Sequence, residues 1–256
     1  MENIIITLND YRKELARVTK ELQTLPLGWL AKRKTFYMHV INDKEFGITK
    51  NHQLIRQLCR KKTLLIYKKQ LELIISSVSQ PISNLKIFTI EEIIQSLPSA
   101  YQGLPKSYFY HTSIDEWVAK PYKKNPFPFA NVDDEEGEGG YEAENGIFYK
   151  SKSEYIISDL LNQYDIPNRY EDEIILEGKK IYPDFKIIKP YSGTLILWEH
   201  FGGLHLPGYG AKMNKKMNLY IKHGFIPFKT LICTFEPDIK NTRFLRSLIE
   251  NIILRD

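Results

Sequence analysis

The sequence predicts an α/β protein whose second half carries a small mixed sheet with helices packed on it. Three observations predict it. Strand-like apolar runs occupy Arg169–Leu176, Ile181–Ile188 and Thr194–Phe201. Apolar residues at helical spacing flank them, in the stretch opened by Ser153-Glu154 and again over about Tyr209–His223. A further strand, Phe228–Phe235, and a closing helix from about Thr242 to Leu254 complete the order α-β-β-β-α-β plus one helix.

Each element has a local reason. Tyr11, Leu15, Val18 and Leu22 recur at helical spacing and Asn9 suits an N-cap, so residues 10–24 read as an amphipathic helix stopped by Pro26 and Gly28. Thr35–Ile41 and Glu45–Thr49 read as strands joined by the turn pair Asn42-Asp43. Leu54 to Val78 offers a long helical pattern that includes Arg60-Lys61-Lys62. Residues 79–150, rich in Pro, Tyr and Phe, read as an extended connector packed through aromatics such as Trp117 and the Asn125-Pro-Phe-Pro stretch. In the second half, Ile156, Ile157, Leu160, Leu161 and Tyr164 form one helical stripe, with Pro167 beyond its end. Glu177-Gly178 is a tight turn between the first two strands, and Gly224 is the natural C′ residue of the later helix.

Composition excludes several classes. The chain has 256 residues, 43% hydrophobic and 26% charged, which is neither disordered nor collagen-like. No apolar run approaches the roughly 20 residues that cross a bilayer, and the N-terminus lacks the pattern of a signal peptide, so a cytoplasmic protein with no membrane partner is expected. Cys59 and Cys233 sit in apolar surroundings and read as buried, reduced thiols. Net charge is +5, but residues 1–75 hold fifteen Lys or Arg against seven Asp or Glu. Asp133, Asp134, Glu135, Glu136, Glu138, Glu142 and Glu144 concentrate the opposite sign among glycines, which suits a solvated linker better than a metal site. The expected organisation is a basic helical and hairpin region with its aromatic connector over 1–130, an acidic linker over 131–149, and a second domain over 150–256.

Three carboxylates of that domain stand at element edges. Asp184 falls within the second strand, Glu199 ends the third, and Glu154 lies in the first turn of the preceding helix. An acid set among Trp, Phe and Ile is costly to bury unless positive charge meets it. Neighbouring strands lie about 4.8 Å apart, so two such acids can share one cation. Hard oxygen ligands suit Mg²⁺ or Mn²⁺, and phosphodiester hydrolysis is a reaction such sites run. Taken singly, each acid reads equally as a solvent-facing or salt-bridged residue.

The text that carries these acids is Lys150-Ser-Lys-Ser-Glu154, Ile181-Tyr-Pro-Asp184-Phe185 and Trp198-Glu199-His200-Phe201-Gly202, followed by Tyr209, Lys216, Tyr220 and Gly224 and by Cys233-Thr-Phe-Glu236. It resembles the PD-(D/E)xK nuclease superfamily, with its restriction-endonuclease-like α-β-β-β-α-β core, and within it a bacterial branch related to nuclease modules found beside helicases. The first half, from Leu25-Pro-Leu-Gly-Trp-Leu through Trp117 and Asn125-Pro, is similar to that branch as well. One position departs: where the superfamily usually places a lysine, two residues after the second acid, this chain has Phe201.

The resemblance implies a Mg²⁺- or Mn²⁺-dependent deoxyribonuclease acting in phage defence or DNA repair, with DNA and a protein of such a system as partners. It implies that Asp184, Glu199, Glu154 and the main-chain carbonyl of His200 hold the metal, and that Lys216 replaces the missing cation. Tyr209, Lys212, Lys216 and Tyr220 lie three or four apart and share a helical face, where the tyrosines either contact phosphate or simply pack. His200 reads equally as a structural histidine, and Lys216 as a solvated helix lysine. Arg60, Lys61 and Lys62, with Lys68 and Lys69, either grip a phosphate backbone or form an exposed helix face. The alternative to an enzyme is a nuclease-fold module that binds nucleic acid without cutting it, or that works only when a partner activates it.

Overall fold

The computed structural model describes residues 2–76, 88–122, 141–143 and 146–254. Helices and sheets are mixed, and the chain forms two compact units, Met1–His111 and Thr112–Asp256. Among the described residues no helix is long and apolar enough to cross a membrane.

The first unit starts with helix α1 (Glu2–Thr24), so the expected cap Asn9 lies inside the helix. Three antiparallel strands follow in the order β1 (Trp29–Arg33), β2 (Phe36–Ile41), β3 (Lys44–Gly47). The β2–β3 turn is the expected Asn42-Asp43 pair, with φ of 48° and 60°, as a two-residue hairpin requires. Strand β1 goes beyond what the sequence pattern predicts, because Pro26 and Gly28 mask it. Gly28 sits at φ 84°, and a Cβ there would lie 2.1 Å from the Val40 carbonyl oxygen, so only glycine lets β1 begin beside β2.

Helix α2 (His52–Ser76) is wrapped by α1, by β1, by α3 (Ile90–Gln95) and by the short turn Lys106–Phe109. That environment corrects the reading of its basic cluster. Arg60 is 1% exposed. Its guanidinium donates to both oxygens of Glu21 (2.8 and 3.0 Å) and to the Phe109 carbonyl (3.1 Å). Lys61 donates to the carbonyls of Pro26 (2.7 Å) and Gly28 (3.3 Å), and Lys62 is half-buried. Arg60 and Lys61 therefore fasten α2 to its surroundings and are not presented to a phosphate backbone. Periodicity alone could not reveal this, since a guanidinium counts as surface until a buried acid faces it.

The stretch expected as extended connector contains α3, 3₁₀ turns at Ser99–Tyr101 and Lys106–Phe109, and α4 (Ser113–Ala119). Thr89 and Glu92 form a reciprocal capping box at the start of α3. Residues 77–87, the Asn125-Pro-Phe-Pro stretch and most of the acidic run, 133–140 and 144, lie outside the described residues. The second unit begins earlier than the expected boundary. Arg169 packs its guanidinium on the rings of Trp117 (4.2 Å) and Tyr122 (4.8 Å) and donates to the Trp117 and Lys120 carbonyls, tying α4 to this unit.

That unit continues with a two-residue pairing of β4 (Tyr141–Glu142) and β5 (Phe148–Tyr149), then α5 (Lys152–Gln163), capped by Ser151. Strand β6 (Asn168–Tyr170), a small hairpin of β7 (Ile174–Leu176) and β8 (Lys179–Ile181), then β9 (Phe185–Ile188) and β10 (Leu195–Phe201) follow. Helix α6 (Tyr209–Lys222), β11 (Leu231–Phe235), α7 (Glu236–Ile239) and α8 (Thr242–Leu248) complete it, with a π turn at Ile249–Ile253. The main sheet has the order β11-β10-β9-β6, with β10 and β11 parallel and the other pairs antiparallel.

The two long strands expected on either side of Glu177-Gly178 are each broken. Glu171 at φ 47° and Pro183, which has no N–H to give a ladder, interrupt the pairing in the middle. The ladder Tyr170↔Phe185 belongs to the main sheet, whereas Ile174↔Ile181 belongs to the separate hairpin. Leu197, Tyr220 and Leu231 form a buried cluster between sheet and α6, with Ile174, Leu176 and Ile181 of the hairpin packed against it.

Arg60→Ala is expected to destabilise the first unit by about 3–5 kcal/mol, because it leaves Glu21 buried without its main cation. Urea unfolding measures this loss, and Arg60→Lys should recover only part of it, since an ammonium cannot make the two-pronged contact.

Candidate functional site

The site lies where β9 leaves the sheet. Asp184 immediately precedes β9, after Pro183. The last β9–β10 pair is Trp198↔Phe185, so the His200 N–H beyond it finds no ladder carbonyl and donates instead to Asp184 Oδ2 at 2.6 Å. Proline thus releases the strand, and the following carboxylate takes over as acceptor. Glu199 follows Trp198 on β10, and alternation turns it to the face that α6 covers. Its Oε2 receives the Lys216 ammonium at 2.7 Å and its Oε1 the Tyr220 hydroxyl at 2.5 Å. Lys216 also donates to the Tyr182 carbonyl at 3.1 Å. Lys216 and Tyr220 reach one carboxylate because they stand one turn apart on α6.

The neighbouring residues Trp198 and His200 point to the opposite face and meet at Thr234 Oγ1, at 3.0 Å from the indole Nε1 and 3.2 Å from the imidazole Nδ1. The other imidazole nitrogen lies 3.1 Å from Glu236, which also accepts from Ser153 at the start of α5. His200 therefore serves the site through its main chain while its ring braces β10 against β11 and α7.

Glu154 occupies the N3 position of α5. Its Oε2 accepts from the Ser151 N–H (3.1 Å) and from the Tyr170 hydroxyl (2.8 Å). The capping box thus fixes its place, and Tyr170 points it to the β6 side of the sheet. Glu171 carries a Lys150 ammonium at 2.5 Å, and its charge reaches both Glu154 and Asp184. Sequence reasoning missed Tyr170 and Glu171 as members of this cluster. The only signal for them is that both flank the Asp184 strand across the broken hairpin.

Electrostatics mark the cluster as short of positive charge. Burial, reinforced by the nearby Asp184, pushes the Glu199 carboxyl up to about 8 against the pull of Lys216 and Tyr220. Burial and the Asp184 charge push Glu154 up to about 7. Asp184 is raised too, chiefly by burial, although Lys216 and the His200 N–H oppose it. Burial lowers the Lys216 pKa, but Glu199 and Asp184 outweigh it, so the net shift is upward and the ammonium persists. Among the described residues, one half-buried ammonium thus serves the buried Glu199 and the half-buried Asp184 and Glu154, and Glu154 and Glu199 hold their protons up to about 7 and about 8.

The structure brings Asp184, Glu199 and Lys216 together, adds Tyr220 as a buried hydrogen-bond donor, and keeps Glu154 nearby within its cap. It does not present Tyr220 to a ligand: the ring is fully buried and its hydroxyl is spent on Glu199. Tyr209 is half-buried, its ring lying against Gly203, and Lys212 is exposed on the first turn of α6. Among the described residues, no group of three or more His, Cys, Asp or Glu side chains is arranged to hold a metal ion. The donor chemistry nevertheless fits a hard divalent cation: Mg²⁺ takes one or two carboxylates and completes its shell with water and phosphate oxygens. Asp184 and Glu199 are such a pair, and the proton that Glu199 retains near neutrality is what a cation would displace. Compared with protein-family models, curated proteins and solved structures, the chain matches none.

The upward shifts have a direction in stability. A carboxyl raised on folding favours the folded state fully below its ordinary value of 4.5, and that advantage is lost as pH rises through about 7 for Glu154 and about 8 for Glu199. The melting temperature of the metal-free protein is therefore expected to fall across this window. Glu154→Gln and Glu199→Gln should each flatten the fall, which a thermal scan against pH measures.

Proposed function

We propose that the second unit is a Mg²⁺- or Mn²⁺-dependent nuclease of the PD-(D/E)xK kind that hydrolyses phosphodiester bonds of DNA in the cytoplasm. The observation that carries this reading is the triad of buried Glu199 with half-buried Asp184 and Lys216, the ammonium 2.7 Å from Glu199. The element order supports it: α5, β6, β9, β10, α6 and β11 run helix, three strands, helix, strand, with the β7–β8 hairpin inserted after the first strand. The position of Lys216 supports it further, since a lysine from α6 stands beside the acid whose own strand lacks one.

Asp184 and Glu199 would hold the metal. When bound, it supplies charge that polarises a scissile phosphate and acidifies a water molecule. The chain's own residues then have separable tasks. The His200 N–H and the Tyr220 hydroxyl fix the two carboxylates before any ligand arrives. Lys216, held also by the Tyr182 carbonyl, carries a persistent positive charge into a largely buried site, where it stabilises developing negative charge. Glu154, which holds its proton near neutrality, supplies a group able to take or give one beside Asp184. A role in phage defence or DNA repair, with a protein partner, belongs to the same reading.

The test is incubation with linear, circular and single-stranded DNA and either metal. Asp184→Ala and Glu199→Ala are each expected to abolish cleavage. Asp184→Ala relieves acid–acid repulsion and should leave the metal-free melting temperature level or higher, whereas Glu199→Ala strands Lys216 and Tyr220 and should lower it. Lys216→Met should lower turnover by about 10²-fold or more and Lys216→Arg should restore little of it. In the wild type, Mg²⁺ should raise the melting temperature most at the alkaline end of the window in which the acids lose their protons. Wild-type cleavage by Asp184→Ala would place the chemistry elsewhere. Metal-dependent DNA binding without cleavage by the wild type would leave a binding module.

A further inference from the structure

The groove between the β7–β8 hairpin and α6 has a volume of about 670 Å³ and is lined by Lys179, Lys180, Lys215, Lys216 and Lys222 against a single acid, Glu177. We infer that this groove is the nucleic-acid-binding surface of the second unit and holds a phosphodiester backbone at the mouth of the acidic site. The inference rests on the nuclease reading for its substrate class, and on the groove alone for its location.

Two rails of positive charge form it. Lys215 and Lys222 stand seven residues apart on α6, two helical turns and roughly 10 Å, and line the same wall. Lys179 and Lys180 lie on β8 opposite. Exposed Lys212 stands one turn ahead of Lys215 and extends the helical rail. The hairpin cannot swing away freely, since Ile174, Leu176 and Ile181 pack into the cluster beneath α6.

The charges are available to a ligand. Lys222 meets Glu177, and Lys180 lies 3.0 Å from Glu173, but the two lysine side chains remain 70% and 60% exposed. The Lys222–Glu177 pair is screened by water and exchanges readily for a phosphate, and Lys180 keeps its ammonium accessible beside the mostly buried Glu173. Lys179 and Lys215 are exposed and stand in no ion pair with a described residue. The inner wall is continuous with the site, because Lys216 and Tyr182 line the groove and are joined by the hydrogen bond that also positions Lys216 for Glu199. A backbone lying between the rails would place successive phosphates over the Lys216 ammonium that Glu199 holds. Such a surface reads charge and spacing, not base sequence.

The groove sits where the sequence offers no basic cluster. Lys179-Lys180 and Lys215-Lys216 are ordinary pairs taken singly, and only the folding of the hairpin against α6 sets them face to face.

The test uses the full chain with a fluorescent short DNA duplex in EDTA, so that binding is read without cleavage. The variant Lys179→Gln/Lys180→Gln/Lys215→Gln spares Lys216 and gives up only the Lys180–Glu173 pair, with Glu173 keeping the Tyr182 hydroxyl, so its melting temperature should stay close to that of the wild type. Its affinity is expected to fall by about tenfold or more at moderate salt, and the log–log salt slope to shrink by about 0.9 for each phosphate that the variant no longer neutralises. Lys44→Gln/Lys50→Gln/Lys69→Gln, exposed positions of the first unit, removes the same charge and should cost less. A groove variant that binds as the wild type does, or that loses no more than this control, overturns the inference. The two readings fail separately. Cleavage abolished by Asp184→Ala alongside unchanged binding by the groove variant would remove the groove and keep the nuclease. Loss of binding by the groove variant, with a wild type that cuts nothing, would keep the groove and remove the nuclease.

Discussion

A carboxylate as buried as Glu199 stays in a folded protein only if hydrogen bonds and positive charge meet it, and the second unit is arranged around that need. The Lys216 ammonium and the Tyr220 hydroxyl both come from α6, so this pair of contacts fixes the rotation of the helix over the sheet. Leu197, Tyr220 and Leu231 then close the apolar core beneath. The contact also accounts for the hairpin's position, because the same ammonium reaches back to the Tyr182 carbonyl. Breaking such a buried pair strands its partner, so the polar centre and the packing around it stand or fall together.

The acids themselves are held against their own electrostatics. Three of them lie near one another, among the described residues the Lys216 ammonium is the cation that reaches Glu199, and the pKa values of all three rise. A protein that needed only stability would be better served by apolar residues at these positions. The cluster persists because its supports are built from elements that must exist anyway: a helix cap for Glu154, the end of a ladder for Asp184, and one helical turn for Glu199.

Much of this is legible in the sequence, for identifiable reasons. The long period-3.6 patterns locate α2, α5 and α6 to within a few residues, and the turn pairs Asn42-Asp43 and Glu177-Gly178 fall where hairpins reverse. What the pattern misses has physical causes. Strand β1 hides behind Pro26 and Gly28, and the short helices α3 and α4 are too brief for periodicity to reveal. Arg60 reads as a surface cation because its partner, Glu21, is remote in sequence and meets it only after α1 and α2 pack. At the site, Lys216 is named only by the family resemblance, while residue type and spacing are enough to single out Asp184 and Glu199. They are not enough for Tyr170 and Glu171, since what joins these two to the cluster is a break in strand pairing that no alternation pattern encodes.

That break separates two registers within one chain reversal. Tyr170↔Phe185 closes the main sheet, and the Glu171 N–H donates to the Asp184 carbonyl at 3.0 Å just beyond it. Everything from Asp172 to Pro183 hangs outside that clamp. Residues added to or removed from the hairpin would therefore lengthen or shorten its tip without sliding β6 along β9, and Asp184 would keep its address. The acidic centre is insulated from the length of the arm beside it, so the reach of that arm is free to vary in evolution while the carboxylates at its base stay in place.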